Sequence, residues 1–177
     1  MSRYDEIWGF AEDHHGIITS AQAREIGFPA TKLVSLALHG TLIHLGHGVY
    51  QVNHHVPDVN DHYAVAVALA GKGAFLRGSS VLEMLGLMPA TPSVVYLGSV
   101  NRVRRRLPEY CRLKDRQRCS PVLLARIPCE PVAEALSTAY REGMVDAYRI
   151  EEAIRNASLA NLVSDRQREG LERNMAQ

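Results

Sequence analysis

The sequence predicts an α+β protein, in which three short helices and a β-hairpin come first and a mixed α/β domain follows. Two observations in the first fifty residues predict the first part: glycines separate short apolar stretches, and a Gly-x-Gly turn lies between two strand-like runs. Later stretches with helical and strand-like periods predict the second part. A length of 177 residues and a hydrophobic fraction of 46% are enough to build a core for both.

The first helix is predicted by an apolar stripe that repeats at the helical period. The stripe consists of Tyr4, Ile7, Trp8 and Ala11. Gly16 ends this helix, and the Ile17-Ile18 pair that follows is expected to be buried. A polar and acidic start without an apolar run does not fit a signal peptide, so we expect a cytoplasmic protein.

The second helix is predicted over residues 20–26, because either Thr19 or Ser20 can cap its first turn. A third helix is predicted over about residues 30–39, because Pro29 near a helix start costs no hydrogen bond. A glycine follows each of the two helices and is expected to end it. The two helices are therefore joined by a short turn that contains glycine.

A β-hairpin follows, because two strand-like runs, 42–45 and 49–52, flank Gly46-His47-Gly48. Three helices followed by a hairpin form a winged helix-turn-helix, in which DNA-binding proteins insert the third helix into the major groove. The core-facing residues expected on that helix are Leu33, Val34, Leu36 and Ala37. The residues expected to contact DNA are Thr31, Lys32, Ser35 and His39 on the helix and His44 and His47 on the hairpin.

Leu38 also falls on the outer face of the third helix, where an apolar side chain is unexpected. Three explanations are open. Leu38 contacts a thymine methyl group, it packs against the second domain, or the helix phase is one residue off.

The chain is expected to divide into a winged helix-turn-helix domain (1–52), a polar linker (53–60) and a mixed α/β domain (61–177). The elements expected in the last part are a helix capped by Asp58 and ending at Ala70, a strand at 74–76, a helix opened by a Ser80–Glu83 capping box, strands at 93–97, 110–114 and 122–127, a helix opened by Pro128 and Pro131, and helices at 150–157 and 165–176. We expect this part to have a core of its own.

Charge is distributed unevenly along the chain. Residues 1–52 carry a net charge of −2, residues 53–128 carry +6 and residues 129–177 carry −3. In an extended segment, Arg102, Arg104 and Arg106 would share one face, and Arg105 lies between them. Guanidinium groups match phosphate oxygens, so these arginines form either a face for a polyanion or acidic partner, or an ordinary solvated surface.

The residues of the first part resemble a known family. Residues 16–23, Leu33-Val34, residues 39–42 and Gly46-His47-Gly48-Val49-Tyr50 resemble the N-terminal domain of the AbiEi-type antitoxins of type IV toxin–antitoxin systems. Residues 78–87, 102–106 and 131–136 resemble that family's second domain. The resemblance implies a bacterial antitoxin that represses its own operon by binding operator DNA. It also implies that the second domain counteracts a nucleotidyltransferase-type toxin, and that basic surface on this domain helps to bind DNA.

The chain departs from the family pattern at the hairpin turn, where many relatives carry arginine and this chain has His47. Only Lys32 brings a full positive charge to the third helix. Either the arginines at 102–106 share the duplex, or affinity for DNA is modest, or the histidines become charged below about pH 6.5. We favour the first explanation.

Other chemistry is not expected from the sequence. His54, His55 and His62, or His44 and His47, lack the spacing of a metal site, so we expect neither a metal nor another cofactor. Gly78-Ser79 is not followed by the Asp-x-Asp pair of a nucleotidyltransferase, and the chain has no Glu-x-Lys of a nuclease. We therefore expect no enzyme. No run of 18 apolar residues occurs, so we expect no membrane partner.

Two functional hypotheses follow. In the preferred one, the protein is an antitoxin-like transcriptional repressor whose partners are double-stranded operator DNA and a nucleotidyltransferase-type toxin. The operator has repeated half-sites, on which the chain can act as a dimer. Whether the toxin is contacted directly stays open. In the alternative, the winged helix and the arginine-rich stretch dock a protein partner, as the acidic N-terminal part suggests.

Overall fold

The computed structural model describes residues 3–90 and 93–176, and it confirms the winged helix-turn-helix at the N-terminus. The elements of this domain are α1 (Arg3–Glu12), β1 (Ile17–Thr19), α2 (Ser20–Glu25), α3 (Ala30–Leu38), β2 (Leu42–Gly46) and β3 (Val49–Val52). The strands form an antiparallel sheet in the order β1-β3-β2. The sequence predicts only the hairpin, so β1, which places Ile18 opposite Tyr50, is an addition to it.

The start of α2 is fixed by a capping box. The Thr19 hydroxyl accepts a hydrogen bond from the Gln22 backbone N–H at 3.2 Å, and the Gln22 side-chain oxygen accepts one from the Thr19 N–H at 2.9 Å. Thr19 is therefore the cap, and Ser20 is the first helical residue. The Ser20 N–H donates to the Gly48 carbonyl at 2.8 Å, which ties α2 to the hairpin turn.

A small core closes the N-terminal domain. Ile7 of α1, Ile18 of β1 and Leu33 of α3 are fully buried there. Val34 was expected in this core, but it is 49% exposed, so that expectation is wrong. Successive residues of an α-helix are rotated by about 100° around its axis. Leu33 occupies the side of α3 that faces the core, so the side chain of the next residue, Val34, lies off that side. The side chain of Tyr4, which opens the predicted stripe on α1, lies outside the described side chains.

The second part of the chain is a mixed α/β domain. Its elements are α4 (Asp61–Ala70), β4 (Ala74–Leu76), α5 (Ser79–Met84), β5 (Val95–Ser99), β6 (Cys111–Lys114), β7 (Val122–Leu124), β8 (Ile127–Cys129), α6 (Val132–Arg141), α7 (Ala147–Leu159) and α8 (Asp165–Met175). The sheet has the order β6-β5-β4-β8-β7, in which β5 and β6 are parallel, as are β4 and β8. The division of the chain at residues 53–60 stays a prediction.

Residues 122–127 do not form one strand, as expected, but turn back between β7 and β8. The turn residues Ala125 and Arg126 have φ angles of 47° and 64°. Glycine, asparagine and aspartate are the usual residues at two such positions in a hairpin turn, so the sequence carries no signal for this turn. Pro128 consequently lies inside β8 instead of opening a helix, and Pro131 is the N-cap of α6.

Two predicted caps are also wrong. The Ser80 hydroxyl accepts a hydrogen bond from the Tyr96 N–H at 2.8 Å, so it fastens α5 to β5 and does not cap the helix. The residue before α5 is Gly78. Asp58 does not cap α4, because its carboxylate accepts from the Asn60 N–H at 2.8 Å and Asn60 is the N-cap.

The two parts of the chain pack against each other. Ile17 of β1 and Val49 of β3 belong to the larger core, together with Val67 and Leu69 of α4. The winged helix is therefore seated on α4 through its sheet. No helix in the described ranges is both long and apolar enough to cross a lipid bilayer.

A buried ionic cluster joins the sheet of the second domain to α6. The Arg77 side chain, which is 6% exposed, donates through Nη1 and Nη2 to the two Glu142 oxygens at 2.8 and 2.7 Å. Glu130 accepts from the Gly78 N–H at 2.8 Å and from the Thr138 hydroxyl at 3.3 Å. The Glu130 carboxylate also lies 3.8 Å from Arg77 Nε. Because bidentate pairs fix geometry, this cluster sets the position of α6 on the sheet.

We expect the cluster to make stability depend on acid. Hydrogen bonding from Arg77 lowers the pKa of Glu142 to about 2. A carboxyl whose pKa is lowered on folding stabilises the protein above its unfolded pKa, and this contribution is lost as the pH falls from about 4.5 to 2. Burial raises the pKa of Glu130, which acts in the opposite direction, so a variant must isolate Glu142.

Urea unfolding of the wild type and of Glu142→Gln between pH 7 and pH 2 checks this expectation. The glutamine cannot ionise, so the stability difference between the two proteins should shrink over the window in which Glu142 becomes protonated. A difference that stays constant down to pH 2 would show that the lowered pKa has no consequence for folding.

Candidate nucleic-acid interface

The outer face of α3 is free for a partner over most of its length. Thr31, Lys32, Ser35 and His39 are exposed, as the sequence predicts. Leu38 is 82% exposed, so it does not pack against the second domain. Val34 lies beside it at the spacing of one turn, which makes one edge of this face apolar.

Two of these polar side chains have local contacts that orient them. The Lys32 ammonium lies 5.8 Å from the centroid of the Phe28 ring, and Phe28 itself is buried. His39 Nδ1 is 2.7 Å from the Ser35 carbonyl, which places the imidazole over the last turn of α3. Lys32 therefore projects from the first turn of α3, whereas His39 lies at its end.

The wing is the hairpin of β2 and β3. Its turn residues Gly46, His47 and Gly48 all have positive φ angles, of 130°, 47° and 72°. The exposed His44 ring lies against Tyr50, with ring centroids 4.9 Å apart. His47 is exposed at the tip of the turn.

The arginine segment, residues 102–106, differs from the expectation. It is an irregular connection between β5 and β6, so the predicted strand is wrong, and the alternation of guanidinium groups argued from that strand no longer follows. β5 and β6 pair with each other in parallel, and a parallel pair needs a connection that crosses from one end to the other. The Asp115 carboxylate accepts from the Val103 N–H at 3.3 Å and helps to hold this connection.

The structure brings the arginine segment to the tip of the wing. His47 Nε2 lies 2.9 Å from the Arg106 carbonyl, across 59 positions of sequence. Arg105 donates to the Leu69 carbonyl at the end of α4, at 3.4 Å. Of the predicted DNA-contacting residues, His47 therefore meets the backbone of the arginine segment at Arg106, and the residues of α3 form a separate group on their helix.

The positive charge of this segment is uncompensated. The four arginines, 102, 104, 105 and 106, are all exposed. Within residues 3–90 and 93–176, no carboxylate oxygen lies within the 4.0 Å of an ion pair from any of them. Arg77 and Arg126, by contrast, both have carboxylate partners. The segment is thus a source of positive potential beside a domain with a net charge of −2 over residues 1–52.

A cleft that was not predicted from the sequence lies between the two domains. It has a volume of about 870 Å³ and lies between α2, the wing turn and α4. Its lining includes four basic residues, Arg24, Lys72, Arg105 and Arg126. These residues come from four separate elements, so only the folded chain shows that they share one cavity.

The comparison with known families now adds to this geometry. Residues 10–53 match the family model described as transcriptional regulator, AbiEi antitoxin. The N-terminal domain is therefore similar to that of the AbiEi antitoxins over this range. The match begins in α1 and ends directly after β3, so it covers most of the winged helix. No curated protein matches the chain.

The match confirms the family expected from the sequence and supports a role as an antitoxin and transcriptional regulator. Residues 54–177 lie outside it, so the likeness of the second domain to the second domain of that family stays a prediction. The contacts predicted between individual side chains and DNA are likewise predictions.

Proposed function

We propose that this AbiEi-type protein is a non-enzymatic repressor that binds operator DNA through its winged helix. In this proposal, α3 enters the major groove and presents Thr31, Lys32 and Ser35 to base edges and flanking phosphates. The wing brings His44 and His47 to the adjacent backbone. The observation that carries the proposal is the contact of His47 with the Arg106 carbonyl, which supports a wing tip and an exposed arginine segment that act together.

In this proposal, α3 and the arginine segment have different roles because they carry different charge. Lys32 is the one lysine or arginine of α3, and the N-terminal domain is acidic overall. Each phosphate that a protein neutralises steepens the dependence of affinity on salt by roughly 0.9 in the log–log slope. The arginine segment therefore supplies most of the attraction, which is independent of sequence, and α3 supplies selectivity.

Replacing Lys32 with alanine is expected to lower selective binding. The loss should be about 1–3 kcal/mol for operator DNA if Lys32 contacts a base, and smaller for a scrambled duplex of the same length. Gel-shift titrations against the region upstream of the chain's own reading frame, at two salt concentrations, measure both affinities. Lys72→Ala is the control, because it removes the same charge from the cleft and should leave the ratio of the two affinities unchanged.

The alternative function is docking of a protein partner, and one observation favours it. Val34 and Leu38 are exposed by 49% and 82% on the face assigned to DNA. Apolar side chains at this density are typical of protein interfaces. The same gel-shift titration separates the two functions. Saturable, sequence-selective binding that weakens steeply with salt supports repression, and absence of selectivity at low salt supports docking.

We further propose that the protein counteracts a nucleotidyltransferase-type toxin through its second domain, and that copies of the chain occupy repeated half-sites of the operator. Support comes from the antitoxin description of the matched family. Co-expression of the full chain with a nucleotidyltransferase encoded next to it tests the first statement by growth. Failure of the chain to restore growth would contradict the toxin-directed role and leave the repressor role standing.

A further inference from the structure

Three metal-ligating side chains converge at the junction of the two domains. His15 lies in the turn between α1 and β1, Asp58 lies just before α4, and Asp61 is the first residue of α4. One donor atom from each residue lies within 4.8 Å of the others. His15 Nδ1 is 3.3 Å from Asp61 Oδ1 and 4.0 Å from Asp58 Oδ1. We refer to these three residues as the junction cluster.

The hydrogen bonds of His15 define which ring nitrogen is available. Nε2 lies 2.8 Å from the Ala125 carbonyl, which can only accept, so Nε2 carries a hydrogen. In a neutral imidazole, Nδ1 then has a lone pair, and this lone pair faces two carboxylates. Such an arrangement is repulsive unless a proton on Nδ1 or a metal ion lies between the groups. Histidines that bind metals usually donate their second N–H to a backbone carbonyl or a carboxylate in this way.

The carboxylate of Asp61 is held in a matching orientation. Its Oδ2 atom accepts from the Asp58 N–H at 2.9 Å and lies 2.9 Å from His55 Nε2. Its Oδ1 atom faces His15. The side chains of His15 and Asp61 are 10% and 17% exposed, so these two members of the cluster are largely shielded from solvent.

The donor set and its spacing select the kind of ion. One imidazole nitrogen and two carboxylate oxygens suit divalent zinc and its first-row neighbours. Ligand bonds of about 2.0–2.2 Å around a tetrahedral zinc place neighbouring donor atoms roughly 3.3–3.6 Å apart. The 3.3 Å between His15 Nδ1 and Asp61 Oδ1 already has this value, and the Asp58 side chain, 51% exposed, needs only a small movement.

We propose that His15, Asp58 and Asp61 form a zinc site that fastens the winged helix to the second domain. The ligands come from both sides of the junction, and the backbone of the β7–β8 turn supports His15 through Ala125. His15 has a φ angle of 56°, a strained conformation for a residue that is not glycine. Bound zinc would compensate this strain by fixing the imidazole. The sequence gives no sign of the site, because His15 and Asp58 are 43 positions apart.

Calorimetric titration of the untagged full chain with zinc chloride tests the proposal. We expect one zinc per chain. Loss of a residue that only hydrogen-bonds to a metal ligand weakens metal binding about 10- to 100-fold. His15→Ala and Asp61→Asn each remove a ligand, so each should weaken zinc binding by more than this. His54→Ala and Cys119→Ser are controls, because both remove potential zinc ligands that lie outside the cluster, and both should bind as the wild type does.

A second measurement protects the test against variants that do not fold. Zinc should raise the melting temperature of the wild type and raise that of Asp58→Asn much less, and this substitution alters a half-exposed side chain. Zinc binding that is equal in the wild type and all three cluster variants would overturn the proposal. So would the absence of zinc binding to the wild type.

Discussion

Replacing Arg77 with methionine should destabilise the protein by about 3–5 kcal/mol, because it leaves the buried Glu130 carboxylate without its cation and leaves Glu142 with Lys114 alone, at 2.8 Å. Methionine keeps most of the apolar volume of the arginine stem, so the loss reports on charge more than on packing. The largest part of the cost arises at Glu130, because this residue is only 7% exposed and its carboxylate lies 3.8 Å from Arg77 Nε. Urea unfolding followed by circular dichroism at pH 7 measures the effect.

Two further variants give this measurement its controls. Arg141→Met removes an exposed arginine next to Glu142 on the same helical end, and it should change stability by less than about 0.5 kcal/mol. Adding Glu130→Gln and Glu142→Gln to Arg77→Met should recover part of the lost stability, because the carboxylates that faced Arg77 are then no longer charged. A loss of less than about 1 kcal/mol in Arg77→Met would mean that the cluster does not hold α6 on the sheet.

Changing Arg102, Arg104 and Arg106 together to alanine should weaken binding to any duplex by roughly 500-fold at 0.1 M salt. The reason is that three phosphates would no longer be neutralised, and the log–log slope with salt should become shallower by about 2.7. Arg105 is kept because it donates to the Leu69 carbonyl and so fastens the arginine segment to α4. Fluorescence anisotropy over a range of salt concentrations measures both quantities, and the preference for operator over scrambled DNA should survive.

The matched control removes the same charge elsewhere. Arg155, Arg166 and Arg173 are exposed on α7 and α8, and within the described residues none has a carboxylate partner. Their joint change to alanine should leave the salt slope unchanged. If both triple variants lose affinity for DNA equally, the attraction depends on the total charge of the protein and not on the arginine segment.

The order of elements in the N-terminal domain could be predicted because its signals are local. Capping residues, glycines and an apolar stripe lie within a few positions of each other, and Thr19 caps α2 through Gln22, three positions away. β1 was missed because a strand of three residues has no period to detect. Val34 was misplaced because an apolar residue in a short helix need not face the core.

The second domain was harder to predict for the opposite reason. The turn at Ala125 and Arg126 lacks glycine and asparagine, so the sequence resembles one continuous strand. The arginine segment alternates as a strand would, yet its conformation is set by the parallel pairing of β5 with β6. Long-range contacts of this kind decide whether a segment with a strand-like pattern actually forms a strand.

Only part of the candidate site was accessible to sequence reasoning. The exposed face of α3 follows from helical spacing, so Thr31, Lys32 and Ser35 could be named in advance. The contact of His47 with Arg106 spans 59 positions, and that of His15 with Asp61 spans 46. No pattern within one element contains such pairs, so they emerge only when the chain folds.

The central claim is that α3 and the arginine segment bind the same duplex. Backbone amide chemical shifts of the 177-residue chain, followed by NMR while operator DNA is added, test it most directly. We expect the largest changes at residues 30–39, at the wing turn and at residues 102–106, with little change in α7 and α8. Changes at α3 without changes at the arginine segment, or the reverse, would contradict the account.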